Sequence, residues 1–170
     1  VRTALVGGSR LAGCAGGVSR SSKAAAEDPS ASAVKWDGET AGLVVGSGFA
    51  GWAVAIEAIE AGSNVVLIDK MPVYGGNSAL NGGDMAAVGT PLQKEAGVED
   101  STDLMVADML KAGKKYNHVD RVKTVVENSA GAVEWCTTLG VEFTKLNFHG
   151  GHSVPRTNTT SNATGADIIK

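Results

Sequence analysis

Residues 41–51, AGLVVGSGFAG, constrain the fold of this chain more than any other stretch. The apolar run 43–45 leads straight into a glycine-rich turn, and residues 50–61, AGWAVAIEAIEA, are strong helix formers with Ala53, Ile56 and Ile59 near helical spacing. Strand, turn and helix therefore follow one another without a linker. Gly46, Gly48 and Gly51 stand in the G-x-G-x-x-G order of a turn that approaches a dinucleotide pyrophosphate. Each glycine has its own reason. Gly46 permits the tight turn, Gly48 leaves no side chain between loop and phosphates, and Gly51 lets the helix sit close to the strand. The helix aims its free N–H groups and positive dipole end at an anion.

With 23 glycines in 170 residues, chance supplies such a triple roughly 0.4 times per chain, so the context decides. Gly62 closes the helix as a C′ residue, and a second apolar run, 65–68, ends at Asp69. That carboxylate lies 18 residues after Gly51, where the fingerprint needs an acid for a ribose 2′-OH. A βαβ dinucleotide unit is the expected result.

The first 39 residues differ in kind. ALVGGSRLAGCAGG is apolar and small, and SRSSKAAAEDPSASA has the composition of a flexible linker. Leu11-Ala12-Gly13-Cys14 resembles a lipoprotein signal, so residues 1–39 are expected to be a leader and linker left from an export signal, with Cys14 as a lipid anchor. Both ends of the chain read as cut. A net charge of −3 with both signs mixed argues against a nucleic-acid surface. Of the two cysteines, Cys14 lies in the leader and Cys136 lies in a helical pattern, so no disulfide and no metal site is expected.

After Asp69, the segment KMPVYGGNSALNGGDMAAVGTP is too rich in Gly and Asn for an ordinary helix or strand. Two Gly-Gly pairs, Gly75-Gly76 and Gly82-Gly83, flank Asn77, Ser78 and Asn81, which suits close wrapping of a polar ligand. GSGFAG, the pair Asp69-Lys70 and GGNSALNGGDMAA resemble the FAD domain of fumarate-reductase-type flavoproteins. The resemblance covers residues 40–170, and the GGN form of the loop favours the soluble flavocytochrome fumarate reductase and urocanate reductase branch. It implies an α/β, Rossmann-like FAD-binding domain (a βαβ dinucleotide fold), incomplete, with an inserted helical pair. It further implies that Gly46, Gly48, Ala50 and Gly51 line the pyrophosphate and that Asp69 binds the adenosine ribose. Relatives often have Glu at that place, so Asp draws the carboxylate back by one methylene. Lys70, Asn77, Ser78, Gly82 and Gly83 are implied on the flavin side of FAD.

Beyond residue 90 the chain reads as scaffold. Ser101 or Thr102 caps a helix that Gly113 ends, with Leu104, Val106, Met109 and Leu110 as its buried side. A second helical region runs from 117 to 139, with Val122, Val125, Val126, Ala130, Val133 and Cys136 inward and Gly140 closing it. A short strand is expected near 141–145. In HGGHSVPRTNTTSNATGADIIK, His149 and His152 lack the partners of a metal site, whereas the Arg156 fork suits a phosphate or carboxylate. Relatives place a histidine two or three residues after this arginine, where Asn158 and Thr159 stand here.

The resemblance implies an FAD-dependent oxidoreductase acting on CH–CH groups, which reduces an activated C=C bond of a small enoate. Electrons would come from a haem, a covalent-FMN domain or a protein donor, in an exported, periplasmic or envelope-associated protein of bacterial anaerobic respiration. The catalytic acid is expected outside residues 1–170, and these residues alone are expected to bind FAD poorly. A 3-ketosteroid dehydrogenase, an L-aspartate oxidase-like enzyme and a noncatalytic FAD-binding fragment are the alternatives.

Overall fold

The computed structural model describes residues 37–169. The leader and the Cys14 anchor expected from sequence lie outside the described residues. Strand β1 (Gly42–Val45), helix α1 (Phe49–Glu60) and strand β2 (Val65–Ile68) form the expected βαβ unit. The strands pair in parallel, with Gly42 opposite Val65 and Val45 opposite Ile68. α1 ends as its sequence dictates. Gly62 takes φ +83°, its N–H meets Ile59 O at 2.8 Å, and Ser63 N–H meets Ala58 O at 2.9 Å, which is the Schellman pattern.

The Gly/Asn-rich segment is more regular than its composition suggests. It holds a one-turn helix, α2 (Gly76–Leu80), and a strand, β3 (Asp84–Ala86). Helices α3 (Pro91–Glu95), α4 (Thr102–Ala112), α5 (Val119–Glu127) and α6 (Ser129–Thr138) follow, and then strands β4 (Phe143–Asn147) and β5 (Thr157–Thr160) and helix α7 (Ala166–Ile169). The three later strands form a separate antiparallel sheet in the order β3-β5-β4. The strand expected near 141–145 is thus β4, outside the parallel sheet.

Ser101 caps α4 as expected, its hydroxyl accepting the Leu104 N–H at 3.1 Å. The inward face is rotated by about one residue from the apolar pattern: Met105 and Asp108 are buried, while Leu104, Val106, Met109 and Leu110 are only half-buried. Met105 packs with Val122 and Val126 into a core that Ala86, Val88, Val106, Met109 and Leu110 flank. The helical region expected over 117–139 is built of two helices that meet at Asn128. The Asn128 amide donates to Thr124 O at 2.7 Å, and the Ser129 hydroxyl donates to Val126 O at 2.7 Å. Such local bonds compete with the helical ladder. Val125 and Ala130, expected inside, are exposed.

Arg156 anchors the antiparallel sheet. It is fully buried at 0% exposure, and its Nε and Nη2 donate to the two Asp100 oxygens at 2.9 and 2.8 Å. Nη1 donates to Asp108 at 2.6 Å. The fork that suggested an external anion is therefore occupied by two internal carboxylates. Ser153 adds its N–H at 2.7 Å and its hydroxyl at 2.5 Å to Asp108, and Gln93 bridges Asp100 to Pro155 O. Burial would push both carboxyls up. Hydrogen bonds from Arg156, Gln93 and Ser101 at Asp100, and from Ser153 and Arg156 at Asp108, outweigh it and hold both below the ordinary range. The Arg156 carbonyl accepts the Ala87 N–H at 3.0 Å, so the same residue fixes where β3 meets β5.

Removing one partner of a buried ion pair strands the other charges, at a cost of about 3–5 kcal/mol. R156M should lower unfolding free energy in urea by that amount. Asp100 and Asp108 titrate below their unfolded values, so their contribution is present above about pH 4 and is lost as pH falls further. R156M should flatten this acid limb of the stability curve.

Candidate nucleotide site

The site is organised around Ser47, the residue between the first two glycines. Ser47 is fully buried. Its N–H and hydroxyl both donate to one Asp69 oxygen, at 2.8 and 2.6 Å. Its oxygen accepts the Gly75 N–H at 2.9 Å. One hydroxyl thus joins the glycine turn, the end of β2 and the start of the Gly/Asn loop. The other Asp69 oxygen accepts the Met71 N–H at 2.9 Å. The Ser47 hydroxyl is the main reason, ahead of the Met71 and Ser47 N–H groups, that the Asp69 carboxyl lies at about 2 rather than the model-compound 3.8.

The three glycines meet their requirements separately. Gly46 takes φ +103°, a region that side chains disfavour. A Cβ on Gly51 would lie 1.9 Å from Gly46 O, so the helix could not sit this close to the turn with any other residue. A Cβ on Gly48 would lie 3.2 Å from Ser78 Oγ. Helix α1 has no side-chain cap of its own; instead Ser78 Oγ accepts the Phe49 N–H at 3.1 Å. Among the described residues, the N–H groups of Ala50 and Gly51 meet no acceptor. These are the donors that an α-helix N-terminus leaves for an anion.

The remaining predicted site residues divide into two groups. Lys70 and Asn77 are exposed beside this junction. Ser78, expected on the flavin side, lies with its Oγ on the Phe49 N–H at the α1 N-terminus. Gly82 is exposed and Gly83 is buried. Gly83 takes φ +68°, a Cβ there would lie 2.3 Å from Thr160 Oγ1, and its N–H is taken by Asn81 Oδ1 at 2.7 Å. Gly83 is consequently a packing residue that pins the loop to β5. His149 is exposed, and His152 is half-buried with a ring nitrogen, Nδ1, that has no hydrogen-bond partner among the described residues. Burial, then the Arg156 charge, lowers the His152 pKa. Among the described residues, no cluster of three His, Cys, Asp or Glu side chains could hold a metal. Buried Cys136 lies 3.8 Å from the Met85 sulfur, and desolvation raises its pKa. A cavity of about 640 Å³ on the Trp52 and Ile56 side of α1 contains none of the predicted site residues.

Ser47 was not among the expected site residues, and Gly75 was expected only as part of the ligand-wrapping loop. The signal for Ser47 was its place inside the motif, where a hydroxyl can turn back to the acid at the end of the next strand. Nothing in the sequence marked Gly75 as its third partner.

A parallel βαβ unit with a glycine turn, open helix N-terminal donors and an acid closing the second strand defines a dinucleotide-binding protein. The chain belongs to the family of FAD binding domains, which residues 42–168 match. It is 45% identical over 160 residues to the acrylate reductase flavoprotein subunit of Shewanella woodyi, covering 93% of this chain and 32% of that protein. It is 41% identical over 129 residues to the urocanate reductase of Eggerthella lenta, covering 75% of this chain and 21% of that one. The fold matches the open conformation of a flavocytochrome c3 fumarate reductase with a TM-score of 0.74 and 40% identity, over 76% of this chain and 23% of that one. The chain thus spans about a third or less of these relatives.

The residues present fit FAD. The cradle at Gly48 lacks a side chain, two helix N-terminal donors are open, and Asp69 has three donors on about four acceptor positions. G51A should cost about 1–3 kcal/mol in urea unfolding through overpacking. G131A, in α6 where a Cβ meets nothing within 4 Å, should add about 0.5–1 kcal/mol. The Asp69 pKa is depressed, so the clasp stabilises the fold fully above about pH 4. That contribution is lost as pH falls toward about 2. The difference between wild type and D69N in urea midpoint should therefore shrink over that window.

Proposed function

We propose that the full-length protein is an FAD-dependent reductase of activated C=C bonds and that residues 40–170 are the N-terminal part of its FAD-binding domain. The observation that carries the reading is the Ser47–Asp69–Gly75 junction beneath open α1 donors, in a chain similar to acrylate, urocanate and fumarate reductases. In this reading Gly46, Gly48, Ala50 and Gly51 hold the pyrophosphate, with Ser78 beside them, and Asp69 receives the ribose. Lys70, Asn77 and Gly82 face the flavin side, and Gly83 fixes the loop that does so. When bound, FAD supplies the two-electron chemistry, while these residues bind and orient it.

The substrate is a small enoate, with acrylate, fumarate and urocanate the first to test. A haem, covalent-FMN or protein donor supplies the electrons. Residues 1–39 are read as leader and linker of an exported, periplasmic or envelope-associated protein. Among the described residues no helix is long and apolar enough to cross a membrane.

The test is purification of the full-length protein, followed by its flavin spectrum and anaerobic oxidation of reduced viologen with each enoate. Bound FAD and enoate-dependent viologen oxidation are expected. D69A should raise the FAD dissociation constant at least about tenfold, since a charged acceptor is lost. Absence of FAD overturns the reading. Bound FAD without enoate turnover, together with peroxide formation from L-aspartate or dye-coupled oxidation of a 3-ketosteroid, replaces the reductase with one of those activities.

A further inference from the structure

We propose that the C-terminal end of α4 is a contact for an anionic lipid surface. The first observation is how the helix ends. α1, α3 and α6 all close in the Schellman pattern with glycine at C′: Gly62, Gly97 and Gly140, at φ +83°, +63° and +95°. α4 closes in the same pattern, with Lys114 N–H on Lys111 O at 3.1 Å and Lys115 N–H on Leu110 O at 3.0 Å. Here the C′ residue is Lys114 at φ +49°, and Lys115 follows at φ +65°. Side chains disfavour this region, and glycine enters it freely. Local folding asks for glycine at a place where the chain carries two consecutive lysines, and a strained backbone of this kind points to a function.

The second observation is what surrounds them. Ala107, Leu110 and Val119 form the apolar floor of a groove of about 540 Å³, with Lys111, Lys114 and Lys115 on its rim. Among the described residues none of the three lysines has a carboxylate partner. Tyr116, next in the chain, is 90% exposed. The 148–152 turn lies against the same helix end, since a Cβ on Gly151 would stand 3.4 Å from Ala112 Cβ, and Phe148 in that turn is also exposed. The three lysines gather on this groove in a chain whose net charge is −3.

Lysines interleaved with protruding aromatics are the composition of a membrane-interface contact, the rings at headgroup depth and the ammonium groups on lipid phosphates. An acidic protein would satisfy the lysines but would leave Tyr116 and Phe148 unexplained. Each lysine near an anionic surface is worth about a fivefold change in partitioning. Such a patch is a weak, salt-sensitive contact of the kind that accompanies a second anchor. The proposal does not depend on FAD binding or on Cys14.

The test is co-sedimentation of the unlipidated chain with POPC vesicles and with POPC vesicles holding about 30% POPG, in about 50 and about 500 mM salt. Binding to the POPG vesicles alone, lost at the higher salt, is expected. K114E/K115E should weaken it at least about 25-fold. K114G should weaken it about fivefold and raise the melting temperature by about 2–4 °C. That opposite movement would not arise if Lys114 served only the fold. Equal binding to POPC, insensitivity to salt, unchanged binding by K114E/K115E or no binding overturns the proposal. Equally tight binding to soluble poly-L-glutamate also overturns it and reassigns the patch to acidic polypeptides.

Discussion

The Ser47 hydroxyl is the point on which the site depends. It donates to Asp69 and accepts from Gly75, so a single oxygen ties the glycine turn to positions 22 and 28 residues further on. Backbone glycines make the turn sterically permissible, but permission does not select one conformation. Selection comes from this buried, fully used hydroxyl. A half-satisfied group at 0% exposure is costly, so the three segments hold together or separate together. The Phe49–Ser78 bond adds a second tie between α1 and the same loop.

The antiparallel sheet is arranged around a different polar centre. β5, Thr157–Thr160, is buried along its length although every side chain in it is polar. Its groups are largely matched internally: Thr159 bonds to Asp84 and Asn147, the Asn158 amide to Met85 O and Arg156 O, and Thr160 to Thr164 O. Arg156, held by Asp100 and Asp108, places the first residue of this strand. Gly83 then links the polar sheet to the nucleotide loop through the Thr160 N–H on its carbonyl. The loop that wraps the cofactor in the proposed reading is therefore braced at Gly75 by Ser47 and at Gly83 by β5.

Legibility in the sequence followed the physics of each element. The βαβ unit was readable because its strands are short apolar runs and its turn needs glycine at fixed places, which leaves a pattern in residue type. Strand β5 was not readable, because TNTT has no apolar alternation and its burial depends on partners 12 to 75 residues away. Asp108 and Met105 were missed for a related reason. The apolar stripe of α4 averages over a helix face, whereas a buried carboxylate is placed by one arginine 48 residues on. Arg156 itself was legible as an anion clamp but not as one already closed. The family came from the resemblance of GSGFAG, Asp69-Lys70 and GGNSALNGGDMAA to FAD domains, and the FAD binding domain match over residues 42–168 agrees with it.

The shortening of the usual glutamate to Asp69 takes a different meaning in this light. A carboxylate drawn back by one methylene is well placed to receive the Ser47 and Met71 donors beside it, and it spends most of its acceptor capacity on the fold. Its charge is correspondingly secure, with a pKa of about 2. A ribose hydroxyl meeting Asp69 would join an acceptor already ionised and already immobilised, so little reorganisation would accompany binding. The residue that marks the site in the sequence is thus first a structural tie. In the proposed reading, its readiness to receive the ribose follows from that tie.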